Sequence, residues 1–495
     1  MTVEIEVENP ATGEIVGRVP ELGADEVAAA VERGRAAQPA WEALGARGHA
    51  RLLRRCRRWL VENGQRVLDR IVAENGKPHD DAMVELAYCI TGFSFWTSRG
   101  PRYLADRRVR ARSPFVLGRR LVARHVPVGV VGVIGPWNNP LLNSFGDAVP
   151  ALAAGNAVVL KPSEHTPLSA LLMAEMWREC GLPEHVYQVV TGRGATGQAL
   201  VDLVDFVMFT GSTRTGRAVA QRAAASLTPF ALELGGKDPL IVLEGADLER
   251  AANVALYGAL HNGGQTCISI ERAYVEAPIH DEFVARMTER FRRLRQGTSS
   301  GFGEVDVGAM TWAPQVDVVE AHVDDAIRHG ARAVVGGHAR RELGGGRFFE
   351  PTLLVDVDQS MRCMRDETFG PTLPVMRVRD AEEAVRLAND SAYGLQAAVF
   401  ARTRAEGERI ARRLQAGVVT VNDALINYFA LELPMGGWKS SGVGVRHSAE
   451  GILKYTRSQA VLSTWLPLRR ELHMMPFDRR SYERMRLLLR VLYGR

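Results

Sequence analysis

Apolar positions along this chain change their period several times, and each change marks an element. Val3, Ile5 and Val7 alternate with polar neighbours, and turn signals follow at Asn9-Pro10 and Thr12-Gly13, the pattern of a short hairpin. From residue 23 to about 76 the spacing becomes helical. Ala24-Asp25-Glu26 opens one helix, and residues 47–62 bring Leu52, Leu53, Cys56, Trp59 and Leu60 to one side of another. Asn75-Gly76-Lys77-Pro78 breaks the pattern before a further helix over about 80–99. These helices are expected to flank a sheet and carry no evident chemistry. The basic run over residues 51–58 reads as a solvated helix face, and residues 119–126 alternate as a strand.

Past residue 127 the texture changes. Val128-Gly129-Val130-Val131-Gly132-Val133-Ile134-Gly135 is a near-continuous β-branched run, as expected of a buried parallel strand. It ends in Pro136-Trp137-Asn138-Asn139-Pro140, which continues neither helix nor strand. A helix over 147–154 is followed by a second buried strand at 156–160, ending in Lys161-Pro162-Ser163-Glu164. A helix over 167–180 and a strand at 186–190 come next. The strand at 206–209 runs into Thr210-Gly211-Ser212-Thr213-Arg214-Thr215-Gly216 and another helix. Strands alternating with helices predict an α/β fold with a doubly wound parallel sheet. Ligands in such sheets sit beyond the carboxyl ends of the strands, where Asn138, Lys161, Glu164, Gly211 and Ser212 fall. A second βα region starts at residue 238, with helices over 247–262, 282–295 and 314–329, a strand at 272–275 and strand-edge loops at 349–353 and 366–371. Further segments at 384–388, 395–400 and 417–422 complete it, and there is no internal repeat.

Composition narrows the class. With 495 residues, 46% hydrophobic and 24% charged, the chain is a globular protein of two or three domains. A net charge of +5 is mild for this size, and its arginine clusters accompany no nucleic-acid recognition motif. Five scattered cysteines (56, 89, 180, 267, 363) with no CxxC argue against a disulfide framework or a metal site, and for a reducing compartment. The acidic, polar start does not read as a secretory signal, and no apolar run reaches the ~18 residues of a membrane span. A cytoplasmic enzyme is expected.

The chemistry concentrates in two stretches. Thr228-Pro229-Phe230-Ala231-Leu232-Glu233-Leu234-Gly235-Gly236-Lys237 offers a carboxylate, and Gly264-Gln265-Thr266-Cys267-Ile268-Ser269 offers a thiol 34 positions later. A thiolate attacks carbonyl carbon well, and a nearby carboxylate is able to activate water against the resulting thioester. Two glycine patterns compete for a dinucleotide. Gly192-Arg193-Gly194-Ala195-Thr196-Gly197 matches GxGxxG but lacks the acidic residue expected about twenty positions on. Residues 211–216 also open a helix, whose free N–H groups favour a pyrophosphate. The motifs alone do not choose between them.

With these residues assembled, the chain resembles the NAD(P)-dependent aldehyde dehydrogenase superfamily from Asn9-Pro10-Ala11-Thr12-Gly13 to Tyr455-Thr456. The resemblance is carried by the motifs at 136–140, 161–164, 209–216, 233–237, 264–267, 367–371 and 434–442. Cys267-Ile-Ser-Ile-Glu-Arg272 and the motif at 441–444 look closest to the succinate-semialdehyde dehydrogenase branch. Met435 stands where the family usually has Phe.

The resemblance implies that Cys267 attacks the aldehyde, that the Asn138 amide and the Cys267 N–H hold the oxyanion, and that Glu233 activates the hydrolytic water. It implies a cofactor lying on Gly211, Ser212 and Gly216, with Gly194 and Gly197 nearer the adenosine. Lys161 and Glu164 would hold the adenosine ribose, and Glu367 and Phe369 the nicotinamide ribose and ring. Trp137, Ser163, Leu234 and Gly235 would also border the cofactor, and no metal is implied. A carboxylate at the ribose repels a 2′-phosphate, so NAD is expected, with NADP admitted. Glu233 favours hydrolysis over transfer to coenzyme A, and the intact catalytic set opposes a silent structural protein on this fold.

The implied domains are a Rossmann-type cofactor domain (1–112 and 128–235, with 426–454 returning to it), an α/β catalytic domain (236–425) and a small β arm (113–127 and 455–465) that makes homodimers or homotetramers. Residues 466–495 form a tail ending in a basic amphipathic helix. It reads either as peripheral attachment to an anionic membrane or as a helix packed on its own subunit or a neighbour, and its short apolar face favours packing. Succinate semialdehyde is the expected substrate and needs a cation in the entrance tunnel, for which Arg272, Arg446 and His447 are candidates. A broad-range, hydrophobic aldehyde would instead want apolar lining such as Phe145, Tyr428 and Phe429. Both sets are present.

Overall fold

The computed structural model describes residues 3–494. They fall into two compact units. One holds the chain up to Leu104 together with Pro127–Arg457, and the other holds Ala105–Val126 together with the chain from Ser458 onward.

The described strands of the first unit build two large sheets. The first has six strands, in the order Gly442–Val443, Phe230–Glu233, Phe206–Thr210, Val130–Ile134, Ala157–Lys161 and Tyr187–Val189. Neighbours run parallel except Gly442–Val443, which is antiparallel to Phe230–Glu233. The second has seven, in the order Arg332–Val335, Thr352–Val355, Thr372–Val378, Ile270–Glu276, Asp238–Val242, Gln396–Phe400 and Val418–Val421. Residues Glu4–Glu8 and Ile15–Pro20 pair as the expected hairpin.

The β-branched run explains the layering. Every residue of Val130–Ile134 and Ala157–Lys161 is buried, so both faces of these strands are covered. Val131, Val133, Val158 and Leu160 face one core, with Leu152 and Trp177 of the helices Pro140–Ala153 and Leu168–Glu179. Val130, Val159 and Val207 face another, with Val27, Val31 and Leu200 of the helices Ala24–Ala43 and Gly194–Leu203. The period of two assigns successive residues to opposite cores, and each valine or leucine so buried contributes ~1.5–3 kcal/mol.

Two elements differ from the sequence reading. The helix expected over 147–154 begins at Pro140, because proline in a first turn lacks only an N–H that would be unpaired anyway. The strand Phe230–Glu233 was not foreseen. It is four residues long and runs into glycines, and its partners, Phe206–Thr210 and Gly442–Val443, are far away in sequence.

In the second unit Thr456–Thr464, Arg119–Pro127 and Arg107–Val109 form a three-stranded sheet that begins at Arg107, ahead of the expected 113. The tail ends in the helix Arg479–Tyr493, opened by Asp478, whose side chain accepts the Ser481 N–H at 2.8 Å. No residue of this helix is buried.

Candidate active site

Glu233 ends its strand, and residues 234–237 cross directly into Asp238–Val242 of the other sheet. The two sheets therefore meet at this carboxylate. The crossing is tight: a side chain at Gly236 would bring a Cβ within 2.5 Å of the Cys267 carbonyl, and one at Gly235 would strike the Glu367 carboxylate. The glycines allow that approach. The Glu233 carbonyl accepts the Gly211 N–H at 3.1 Å, and the Leu234 N–H donates to the Ser441 carbonyl at 2.9 Å.

Cys267 follows a short turn, His261–Gly264, in which Asn262, Gly263 and Gly264 all take positive φ. A Cβ on Gly264 would overlap the Gly370 carbonyl, so this glycine is fixed by both conformation and space. Of the five cysteines Cys267 is the one that is not fully buried, and none is disulfide-bonded. Burial pushes its thiol up to about 12, with Arg446 opposing and the carboxylates Glu233, Asp238 and Glu367 adding to the rise.

Asn138 lies in the loop after Val130–Ile134 and is buried. Its Nδ2 donates to the Gln265 carbonyl at 2.8 Å, and its Oδ1 accepts from Asn143 Nδ2 at 3.5 Å, which orients the amide. The helical region that looked devoid of chemistry holds this loop. Lys77 Nζ donates to the Asn138 carbonyl at 2.8 Å and to Asn139 Oδ1 at 2.7 Å, and pairs with Glu85 at 2.6 Å. Glu85 in turn accepts the N–H groups of Leu141 and Leu142 at the start of the next helix. Lys77 stood in plain view, but nothing local signalled its burial.

The structure brings Trp137, Asn138, Gly211, Ser212, Glu233, Leu234, Gly235, Cys267, Glu367 and Phe369 around one cavity of about 230 Å³. Phe369 stands edge-on to Trp137 with ring centroids 5.4 Å apart. Its loop is locked by Glu271, which accepts the N–H groups of Thr368 and Phe369, each at 2.8 Å, and pairs with buried Lys237 at 2.7 Å. Glu367 accepts the Gly236 N–H at 3.0 Å, and burial, with Glu271 adding, pushes its carboxyl up. Burial likewise pushes Glu233 up to about 7, against the pull of Arg446 and Lys454. A carboxyl so placed is a mixture of acid and base near neutrality.

The remaining predicted residues lie further along the same sheet edge, outside the lining of this cavity. Lys161 Nζ pairs with Glu164 at 3.2 Å. Burial would raise Glu164, but Lys161, a backbone hydrogen bond and His165 together outweigh it and hold the group below its ordinary value. Ser163 Oγ accepts the His165 N–H at 3.3 Å. Gly194 opens the helix Gly194–Leu203, and a Cβ on Gly197 would lie 3.9 Å from Lys161. Ser212 caps the helix Thr213–Ala225, accepting the Thr215 N–H at 3.3 Å, and Gly216 leaves room for Leu234 against that helix. The first N–H groups of this helix have no intrahelical partner, so beside Gly211 and Ser212 they suit a pyrophosphate. Residues present therefore fit a dinucleotide running from Lys161 and Glu164 to Phe369.

A second cavity, of about 280 Å³, takes in Thr266 and Ile268, the residues on either side of Cys267. Its walls are mainly apolar: Val84, Leu142, Val254, Tyr257, Ile268, Leu425, Ile426, Tyr428 and Phe429. Phe145 does not line it and packs instead between Phe93 and Trp177, at 5.3 and 5.6 Å. The candidate tunnel cations are placed differently from the expectation. Arg272 is buried and donates to the Lys237 and Ala388 carbonyls, both at 2.8 Å. His447 is buried against the Tyr88 hydroxyl at 2.9 Å, and burial holds its pKa far below the usual value, so the ring is neutral. Arg446 is buried against Asp147 (Nε–Oδ1 3.0 Å), Asn143 (3.1 Å) and Thr210 (2.9 Å). It is a cation beneath Glu233 and Cys267, already paired, and Asp147 was not singled out from sequence.

Comparison with known proteins identifies the family. A “Putative succinate-semialdehyde dehydrogenase [NADP(+)]” of Mycolicibacterium smegmatis (strain ATCC 700084 / mc(2)155) is 42% identical over 460 residues, covering 92% of this chain and 88% of that protein. A 4,4'-diapolycopene aldehyde oxidase of a Methylomonas species is 38% identical over 491 residues, covering 98% of this chain and 91% of that one, so the match takes in most of the tail. Among solved structures, a Mycobacterium tuberculosis aldehyde dehydrogenase complexed with NAD+ superposes with a TM-score of 0.89 at 33% identity, covering 95% of this chain and 96% of that one. The family model for the aldehyde dehydrogenase family matches residues 2–461. With that match spanning both sheets and the cavity where they meet, this chain belongs to the aldehyde dehydrogenase family.

Proposed function

We propose that the chain oxidises an aldehyde to the free carboxylic acid, with Cys267 as nucleophile, the Asn138 amide and the Cys267 N–H as oxyanion donors, and Glu233 as the base. The observation that carries this reading is the single cavity shared by Cys267, Glu233 and Asn138, with Glu233 poised at about 7. A thiol held up to about 12 loses its proton only as the S–C bond forms, and Glu233 is the acceptor in that cavity. The carbonyl oxygen then bears the negative charge, which the preoriented Asn138 amide meets. Bound NAD(P) would supply the hydride acceptor for the former aldehyde carbon. After Glu233 has passed that first proton to solvent, the thioester left on Cys267 is cleaved by water that gives its proton to Glu233, which hands it to the departing thiolate as the acid is released. Trp137, Lys161, Ser163, Glu164, Gly194, Gly197, Gly211, Ser212, Gly216, Leu234, Gly235, Glu367 and Phe369 would hold the cofactor. Glu164 supports NAD, while the relative named for NADP(+) keeps NADP admitted.

Two substrate readings have support. The relative named for succinate semialdehyde supports that compound. An uncharged apolar aldehyde is favoured by the walls of the cavity behind Cys267 and by the pairing or neutrality of Arg272, Arg446 and His447. NADH formation at 340 nm, scanned over succinate semialdehyde and straight-chain and aromatic aldehydes, decides between them. Absence of turnover with every aldehyde would remove the whole reading.

The proposal extends to assembly as a homodimer or homotetramer in the cytoplasm, where five thiols stay reduced. Thr456–Thr464 supports it: this nine-residue strand lies at the edge of its sheet and is exposed at nearly every position, so residues 457–464 present their outer edge to a second copy. Light scattering of the purified protein should give twice or four times 54.3 kDa.

A further inference from the structure

The C-terminal tail carries the whole of the chain's net charge. Residues 466–495 contain eight arginines against Glu471, Asp478 and Glu483, an excess of five. The complete chain has the same excess of five, so residues 1–465 sum to zero. Within the second unit four of the eight arginines, together with Glu471 and Asp478, meet at one concave surface. Arg470, Arg479, Arg480 and Arg484 border a hollow of about 600 Å³. Arg470 pairs with Asp478 at 3.0 Å, whereas Arg479, Arg480 and Arg484 make no ion pair among the described residues.

The same segment exposes large apolar side chains that a protein in water gains nothing by displaying. Trp465, Leu468, Met475 and Phe477 are 70, 63, 76 and 74% exposed. The helix Arg479–Tyr493 adds Tyr482, Leu489, Leu492 and Tyr493 along one stripe, with Arg479, Arg486 and Arg490 along its edge and Arg480 and Arg484 across the helix. Such a helix cannot span a bilayer: it has fifteen residues, and no described helix is long and apolar enough to do so. Nucleic acid would meet the arginines but leave Phe477 and the leucines in water. The remainder of a second copy is neutral overall and gives the five cations no net attraction.

We propose that this tail is a peripheral docking surface for an anionic lipid membrane. Arg479, Arg480 and Arg484 sit among the headgroups, while Trp465, Met475, Phe477 and the apolar side of the helix enter the headgroup–acyl boundary. The surface is independent of which aldehyde the site accepts.

The test is flotation of the full chain with phosphatidylcholine vesicles, with and without phosphatidylserine. The protein should float with the anionic vesicles and not with the neutral ones, and raised salt should weaken binding. Reversing three charges in R479E/R480E/R484E should weaken it by at least about a hundredfold. L489S/L492S should weaken it at constant charge, and both variants should keep full turnover of a soluble aldehyde, which shows that they fold. Four outcomes would overturn the proposal: equal binding to neutral vesicles; no binding; binding untouched by charge reversal; or a tail-dependent change in oligomeric mass without lipid. Retention on nucleic acid in preference to vesicles would overturn it as well.

Discussion

Arg446 Nε lies 3.0 Å from Asp147 Oδ1, and these two residues, 299 positions apart, form a buried ion pair beneath Glu233 and Cys267. The pair acts on Glu233 with opposite signs: Arg446 lowers its pKa and Asp147 raises it. R446Q should therefore move the acidic limb of the turnover–pH profile to higher pH, and D147N should move it to lower pH, each by on the order of one unit. Each variant removes one partner of this buried pair, leaving Asp147 only the more distant Lys454 or Arg446 no Asp147, and should cost about 3–5 kcal/mol in stability, read as a lower Tm. Shifts of the same sign in both would refute an electrostatic origin.

Glu233 gives the unmodified protein its own pH signature. Only the carboxylate accepts a proton, so turnover should climb as pH passes about 7 and level off above it. E233Q has no such group. Steady-state turnover should fall about 10²–10⁴-fold, and the first burst of NADH, measured by rapid mixing, should slow as well, because the thiol and the hydrolytic water both lose their proton acceptor. A variant whose turnover still rose through neutral pH would take the base role away from Glu233.

C267A should bind NAD with unchanged affinity, measured by quenching of tryptophan fluorescence, because the dinucleotide contacts proposed above do not use the thiol. Dehydrogenation should vanish. Residual turnover within about tenfold of the parent would point to another nucleophile.

At the far end of the proposed cofactor site, Glu164 is a carboxylate held by Lys161. E164S removes the group that repels a 2′-phosphate and leaves Lys161 to attract it. The ratio of kcat/KM for NADP to that for NAD should rise about tenfold, equivalent to ~1.4 kcal/mol at 25 °C. An unchanged ratio would mean that neither cofactor's ribose meets this residue.

Local patterns made much of this legible. The β-branched run at 128–135 foretold a strand buried on both faces, and the residues after each strand fell at the sheet edge where the site forms. Cys267 and Glu233, singled out from stretches that also hold Gly264 and Gly235-Gly236, line one cavity. What was not legible depends on distance along the chain. Lys77 reads as a turn residue until Glu85 and the Asn138 carbonyl are folded around it. Arg446 reads as a free cation until Asp147 is set against it. Phe145 reads as tunnel lining, but its place on a helix turns it into the core between Phe93 and Trp177. Charge and hydrophobicity are properties of a residue, whereas being paired or accessible is a property of the fold.

The antiparallel contact of Gly442–Val443 with Phe230–Glu233 also sets a time at which this enzyme comes into being. On the ribosome, the strand that ends in Glu233 emerges with one flank open, and Asp147 enters its core with no cation to meet it. Both wait for the same late segment, since Ser441 fixes Leu234 and Arg446 neutralises Asp147. Most of the polypeptide is thus made before any of it is competent. A chain stopped short of residue 446 is not a weaker catalyst but an unfinished fold, left to chaperones and proteases.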